Sequence, residues 1–236
     1  MGAGTDKVAK LDAAPHYAGH RDRLRAKFRR EGAAALHDYE LLELYLFNSI
    51  PRRDVKPVAK ALLARFGSFS DVCAAPVSEL ARVDGVSEKT ATDLTVLRAA
   101  ALHFAKDALL NRPILSSWQA LLDYLRASMQ TQTTEDFRVL FLDRKNRLVA
   151  DEVVARGTVD RCPVYPREIM KRVLAHDATA VILVHNHPTG DPTPSSDDIK
   201  MTEELKRLMD ALDVVVHDHI IVGRERVVGF KQLGLM

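Results

Sequence analysis

The chain has 236 residues and a formal net charge of +2; 47% of its residues are hydrophobic and 28% are charged. This composition excludes disordered, collagen-like and disulfide-stapled proteins, and the length fits one large domain or two small ones. Cys73 and Cys162 share no CxxC spacing, which argues against a cysteine-ligated metal and favours a reducing compartment. No apolar run reaches the roughly 20 residues that span a bilayer, and no secretory signal is visible. We therefore expect a cytoplasmic protein with no membrane partner.

The positive charge is concentrated in the first half of the chain. Residues 1–110 carry a formal charge of +3, and the remaining residues carry −1. The segment 21–30 alone contains six cations and one anion. Such a segment either neutralises phosphates through counterion release or forms the solvated face of a helix, and the sequence leaves both readings open.

Hydrophobic spacing predicts an all-α domain over residues 21–110, after a flexible tail formed by residues 1–20. Helices are expected over 39–46, over 55–66 with Gly67 ending the helix, and over 87–108. A linker is predicted at 111–116, where the pattern changes.

The remaining residues, 117–236, are predicted to form a domain in which strands alternate with helices, of α/β or α+β class. A helix is expected from Trp118, followed by a β-hairpin with a four-residue polar loop. The predicted elements of this domain are strands at 137–142, 148–154, 180–187, 214–222 and 226–230, and helices at 166–175 and 195–212.

A tight turn is predicted at Gly85, between a short helix and a helix for which Ser87 is the expected N-cap. Exposed N–H groups at a helix N-terminus favour an anion, and Lys89 adds positive charge in the first turn. The segment resembles the helix-hairpin-helix module, which binds the DNA backbone, although Ser87 replaces the second glycine of the usual hairpin. Gly85, Ser87 and Lys89 are therefore candidate DNA-binding residues. The alternative is a packing turn between two core helices.

The strongest signal is the pair His185 and His187, directly after the apolar run 181–184. This spacing places both imidazoles on one face of a strand. Ten residues separate His187 from Asp198, which falls in the first turn of the next predicted helix and could supply a carboxylate ligand. Two histidines and an aspartate leave the fourth position of a tetrahedral zinc ion open, as in catalytic sites. The structural alternatives are simple packing of the histidines and a capping box formed by Ser195 and Asp198.

His185, His187, Ser195 and Asp198 match the JAMM signature of the JAB/MPN metalloenzymes. The amino-acid sequence of segment 185–195 resembles, more specifically, that of the bacterial RadC family. The resemblance implies an N-terminal helical region followed by an α/β, cytidine-deaminase-like JAB/MPN domain with a mixed sheet. It also implies one Zn2+ per chain, held by His185, His187 and Asp198.

The same resemblance implies roles for further residues. A glutamate before the first strand of the domain activates water at the zinc, and Glu135 stands at the matching position, with Glu152 and Glu168 as alternatives. Ser195 would hydrogen-bond the developing oxyanion. Glu168 and His219 are candidates for orienting the site from outside the ligand set. His217 and His219 are expected on one face of a strand, and the alternatives for this pair are ordinary packing, an orienting role outside the ligand set and metal binding.

Two functions are consistent with these observations. The first is a zinc-dependent hydrolase of JAMM type, with metalloprotease or isopeptidase chemistry on a peptide or protein substrate. The second is a DNA-binding, repair-associated protein whose zinc domain is accessory or cleaves a phosphodiester. The two are compatible if the helical half binds the DNA backbone and brings the hydrolase to it.

Overall fold

The computed structural model describes residues 19–110, 112–158 and 164–236, and the chain divides between Arg98 and Ala99 into two compact units. The division falls earlier than the predicted linker at 111–116. Leu109, which precedes the predicted linker, and Ile114 within it are both fully buried in the core of the second unit. The predicted tail up to residue 18, together with Asn111 and Cys162, lies outside the described residues.

The first unit is helical and has one apolar core, which includes Leu42, Leu62, Val72 and Leu94. Its helices are α1 (His20–Glu31), α2 (Asp38–Ser49), α3 (Lys56–Phe66), α4 (Phe69–Ala74), α5 (Val77–Leu80) and the start of α6 (Glu88–Asp107). The helices predicted at 39–46, 55–66 and 87–108 are therefore confirmed. No helix in the described ranges is both long and apolar enough to cross a membrane.

Two cations of the 21–30 segment are used within the helical unit. Arg21 donates hydrogen bonds to the carbonyls of Ile50, at 2.5 Å, and Arg53, at 2.8 Å, and so binds the chain just after α2. Lys27 pairs with Glu40 in the first turn of α2 at 2.8 Å. These two side chains stabilise the packing of α1 against α2.

The turn at Gly85 packs against α3. Gly85 has a φ of +84°, and a Cβ added to it would lie 2.9 Å from Cγ2 of Val58. Oγ of Ser87 accepts a hydrogen bond from the amide of Thr90 at 3.1 Å, which is the predicted capping contact at the start of α6. The packing alternative for this turn is therefore realised, and DNA contact stays a prediction.

The second unit is built on a mixed five-stranded sheet, so the fold is of the α+β class. Its elements are the end of α6, α7 (Trp118–Met129), β1 (Asp136–Leu142), β2 (Leu148–Arg156), α8 (Pro166–Ala175), β3 (Ala180–Asn186), α9 (Ser196–Asp210), β4 (Val215–Val222) and β5 (Val227–Gly229). The strand order is β2-β1-β3-β4-β5, with β3 and β4 parallel and the other neighbouring pairs antiparallel.

Both faces of the sheet are covered, which is why β1 and β3 are buried along their whole length. One face packs against α7 around Leu140 and Ile182, and the other packs against α8 and α9 around Phe137 and Leu183. All seven residues of β3 are buried. Its carboxyl end lies beside the carboxyl end of β4, the edge of an open sheet where ligands commonly bind.

Replacing Gly85 with alanine is expected to lower the free energy of unfolding by about 1–3 kcal/mol, because left-handed backbone strain adds to the collision with Val58. Gly32→Ala is the matched control, since Gly32 has a φ of +77° but nothing within 4 Å of an added Cβ. Chemical denaturation measures both variants. Equal losses would show that the contact with Val58 costs nothing.

Candidate metal centre

The structure brings His185, His187 and Asp198 together. Each offers a ligand atom, and these atoms lie within 4.8 Å of one another. Nε2 of His185 is 2.9 Å from Nε2 of His187 and 3.3 Å from Oδ1 of Asp198. His185 is supplied by the carboxyl end of β3, His187 by the residue just past the strand, and Asp198 by the first turn of α9.

The start of α9 fixes the Asp198 carboxylate. Oδ2 of Asp198 accepts hydrogen bonds from both the amide and the hydroxyl of Ser195, each at 2.7 Å. The hydroxyl of Ser195 in turn accepts the amide of Asp198 at 3.1 Å, so the predicted capping box is present. Oδ1 thereby faces Nε2 of His185 at 3.3 Å, and Oδ2 lies 3.6 Å from Nε2 of His187. The role of Ser195 as an oxyanion donor stays a prediction.

The main chain after β3 fixes the tautomer of His187. Nδ1 of His187 lies 2.7 Å from the carbonyl oxygen of Asp191. A carbonyl only accepts, so Nδ1 carries the hydrogen, and in the neutral imidazole Nε2 is bare. That bare nitrogen faces the cluster.

A chain of hydrogen bonds fixes the tautomer of His185. The hydroxyl of Thr202 donates its one hydrogen to the carbonyl of Asp198 at 2.6 Å. It can therefore only accept from Nδ1 of His219, 2.6 Å away. Neutral His219 then has a bare Nε2, which accepts from Nδ1 of His185 at 2.8 Å. Nε2 of His185 is left without a hydrogen and points at the cluster.

The chain of hydrogen bonds from Thr202 to His185 runs through the interior of the second unit. His219 is fully buried, and its ring stacks on Phe230 with the centroids 4.5 Å apart. Burial, together with the nearby His185, holds the pKa of His219 well below its ordinary value. The neutral form that the hydrogen-bond chain requires is therefore also the form that the environment favours.

The donor set fits a zinc ion. Two bare imidazole nitrogens and one carboxylate oxygen converge, and without a cation their lone pairs would repel one another across about 3 Å. Zinc prefers such nitrogen and oxygen ligands, and three protein ligands are the number found in catalytic sites. His219 makes with His185 the kind of outer hydrogen bond that metal-binding histidines usually make, and its orienting role toward a metal stays a prediction.

The charges around the cluster favour an anionic carboxylate. Burial acts to raise the pKa of Asp198, but the hydrogen bond from Ser195 and the positive charge that His185 and His187 carry when protonated hold that pKa far below its ordinary value. Burial acts to lower the pKa of His187, but the contact with Asp198 and the Asp191 carbonyl raise it overall. Protons and metal ions therefore compete for Nε2 of His187.

Glu135 is the candidate glutamate whose pKa responds to the charges of this cluster. It is half-buried just before β1; burial raises its pKa, and so does the charge of Asp198, although the histidines oppose the rise. Both alternatives have partners elsewhere. Glu152 bonds to Arg172 and to His176, and Glu168 pairs with Lys171 and Arg167 on the exposed side of α8. Neither these pairs nor their pKa shifts link Glu168 or Glu152 to the cluster.

His217 does not join His219. The β3–β4 register is irregular between Val216 and Asp218, which breaks the alternation of side chains along β4. Nε2 of His217 instead lies 2.6 Å from the amide oxygen of Asn146. The expectation that the two histidines share one strand face is therefore wrong.

The candidate DNA-binding residues lie in the first unit. Lys89 is exposed and pairs with Asp93, one turn later in α6, at 2.8 Å. Ser87 is occupied by the helix cap. Their role toward DNA stays a prediction.

Two residues of the site carried no recognised sequence signal. Thr202 lies one helical turn after Asp198, a spacing that places both on the same face of α9. Asn186 lies between the two histidines, and its side chain bonds to the main chain at 134 and 136. Both roles depend on neighbours that only the tertiary structure supplies.

Comparison with known proteins gives two family matches. Residues 115–235 match a family model described as the RadC-like JAB domain, and residues 17–92 match the UPF0758 N-terminal region. A UPF0758 protein of Rhodobacter capsulatus is 55% identical over 213 residues, which cover 90% of this chain and 100% of the relative. A UPF0758 protein of Ruegeria pomeroyi is 54% identical over 217 residues, covering 92% and 97%. The resemblance drawn from segment 185–198 is confirmed.

Replacing Thr202 with valine keeps the shape of the side chain but removes the hydrogen-bond acceptor for His219. The His185 tautomer is then no longer fixed, and we expect zinc affinity to fall by about tenfold. Thr202→Ser keeps the hydroxyl and should bind zinc like the wild type. Competition with a chromophoric chelator measures the dissociation constants, and equal affinities for the valine and serine variants would contradict the role of the chain.

Zinc binding is expected to weaken as the pH falls. The raised pKa of His187 keeps its proton bound to a higher pH than in an ordinary imidazole, and zinc must displace that proton. Below that pKa, the apparent dissociation constant should rise about tenfold per pH unit for one displaced proton. The same titration, repeated between about pH 6 and 8, measures this. A constant affinity over the range would show that no ligand proton is displaced.

Proposed function

The chain belongs to the RadC-like JAB domain family, and from this premise we propose that it is a zinc-dependent hydrolase of JAMM type that cleaves a peptide or isopeptide amide. The family is related to metallohydrolases, and this chain has the residues that such chemistry needs. The observation that carries the proposal is the convergence of two bare imidazole nitrogens and one carboxylate oxygen, with Glu135 within electrostatic reach.

Bound zinc would polarise the substrate carbonyl and lower the pKa of a water molecule, with His185, His187 and Asp198 as its protein ligands. Glu135 accepts the proton of the attacking water and returns it to the leaving nitrogen as the amide bond breaks. Its raised pKa suits both steps, because a base whose pKa is closer to neutrality is stronger and its conjugate acid still donates. Ser195, whose hydroxyl bonds to Asp198, would turn from that carboxylate to donate to the developing oxyanion.

The second candidate function, DNA binding, is supported by one feature of the helical unit. Lys89 is exposed near the N-terminus of α6, next to the Gly85 turn that resembles the helix-hairpin-helix module. This favours contact with a phosphate backbone, so labelled DNA belongs in the same assay as peptides. Cleavage of DNA rather than peptide would show that the bond hydrolysed at the zinc site is a phosphodiester.

The test compares wild type with Glu135→Gln, both loaded with zinc. The substrates are a fluorogenic peptide library, peptides joined through a lysine side chain, and fluorescently labelled DNA. We expect amide cleavage by the wild type, at least about a hundredfold loss in Glu135→Gln, and the same zinc content in both. Glu168→Gln is the matched control, because Glu168 lies on the surface of α8 and should leave the rate unchanged.

The outcomes separate the alternatives. Loss of zinc from Glu135→Gln would make Glu135 a ligand rather than a base. Loss of activity in Glu168→Gln but not in Glu135→Gln would transfer the role to Glu168. A wild type that holds zinc and cleaves only DNA would contradict the amide assignment.

A further inference from the structure

We propose that Asn186 is a positioning residue: its side-chain amide fixes the main chain on both sides of Glu135 and so sets where that carboxylate lies relative to the metal ligands. The proposal rests on the proposed function, since it gives Glu135 the role of base. It adds a residue that the JAMM pattern of ligands and base does not include.

The contacts are two hydrogen bonds to the residues that flank Glu135. Oδ1 of Asn186 accepts from the amide of Asp136 at 2.9 Å. Nδ2 donates to the carbonyl of Thr134, also at 2.9 Å. Asn186 is 1% exposed, so water does not compete for these bonds.

The amide is needed here because the regular sheet ends at this point. The last main-chain register pair between β1 and β3 near the site joins Phe137 to His185. Beyond this pair, the side chain of Asn186 makes hydrogen bonds to Thr134 and Asp136, and the amide of His187 donates to the carbonyl of Val222 on β4 at 3.0 Å. The Asn186 side chain therefore continues the hydrogen bonding between the two strands where their register pairing ends.

The other side of the same segment is held by the chain that follows β2. The amide of Glu135 donates to the carbonyl of Thr158 at 3.0 Å, and the carbonyl of Glu135 accepts the amide of Gly157 at 2.7 Å. Those bonds orient the peptide groups of Glu135 along the sheet. The Asn186 bonds join this segment to β3, the strand that contains His185. They therefore set the distance between the carboxylate of Glu135 and the candidate ligands.

The residue type follows from the geometry. The position must donate and accept at once, within a short reach, and a primary amide on one methylene does both. Aspartate keeps the acceptor but loses the donor and buries a charge. Leucine has a similar shape but offers neither group, so it leaves the amide of Asp136 and the carbonyl of Thr134 without that partner.

The test uses Asn186→Leu, with zinc-loaded wild type and Glu135→Gln as references and p-nitrophenyl acetate as the probe for activated water. We expect kcat of Asn186→Leu to fall by about tenfold to a hundredfold with little change in KM, because a misplaced base slows the chemical step rather than binding. Adding the Asn186 substitution to Glu135→Gln should cost nothing more, since the group it positions is gone. Zinc affinity should stay within about threefold of wild type, because the ligands and their hydrogen-bond chain are unchanged.

A second readout does not depend on activity. In the metal-free protein, Asn186→Leu should speed hydrogen exchange at the Asp136 amide, while exchange at the Val184 amide within β3 stays slow. Unchanged protection at Asp136 would overturn the proposal. So would a normal kcat in Asn186→Leu, or an additive loss in the double variant. If wild type and Glu135→Gln hydrolyse the probe equally, it is the base role in the proposed function that fails, and the exchange result still shows whether Asn186 holds the segment.

Discussion

The candidate site depends on one chain of hydrogen bonds, which runs from the carbonyl of Asp198 through Thr202 and His219 to His185. Each donor in it is fixed by the previous one, beginning with a carbonyl that can only accept. The result is an imidazole held with its bare nitrogen toward a second bare imidazole and a carboxylate. A metal ion satisfies this arrangement, because it binds all three lone pairs at once.

The fold supplies this chain through the parallel pair at the centre of the sheet. His185 and His219 lie on the neighbouring strands β3 and β4. Thr202 and Asp198 share one face of α9, the helix that packs on the sheet face formed by Phe137 and Leu183. The network therefore joins three elements that the hydrophobic core has already placed. Because these groups are buried, an interrupted chain would leave polar atoms unpaired, and this cost favours the single arrangement in which every member is satisfied.

Hydrophobic periodicity was enough to predict the long elements, since α3, the β1–β2 hairpin and α8 each show several turns or alternations. It could not show α4, whose six residues are too few for a helical period. The cluster of His185, His187 and Asp198 was predictable because these residues are close in sequence and of a chemical type that binds metal ions. Asn186 and Thr202 were not, because their partners at Asp136 and His219 are distant in sequence. The prediction that His217 and His219 share one strand face was wrong because an irregular register in β4 breaks strand alternation.

The positions of the imidazole hydrogens in the metal-free protein are the most direct test of this hydrogen-bond chain. Long-range 1H–15N NMR of protein labelled with 15N-histidine distinguishes a protonated ring nitrogen from a bare one. The account predicts hydrogens on Nδ1 of both His185 and His219, with Nε2 bare in each. A hydrogen on Nε2 of His185 would contradict it, because that nitrogen could not then be the one held ready for a metal ion.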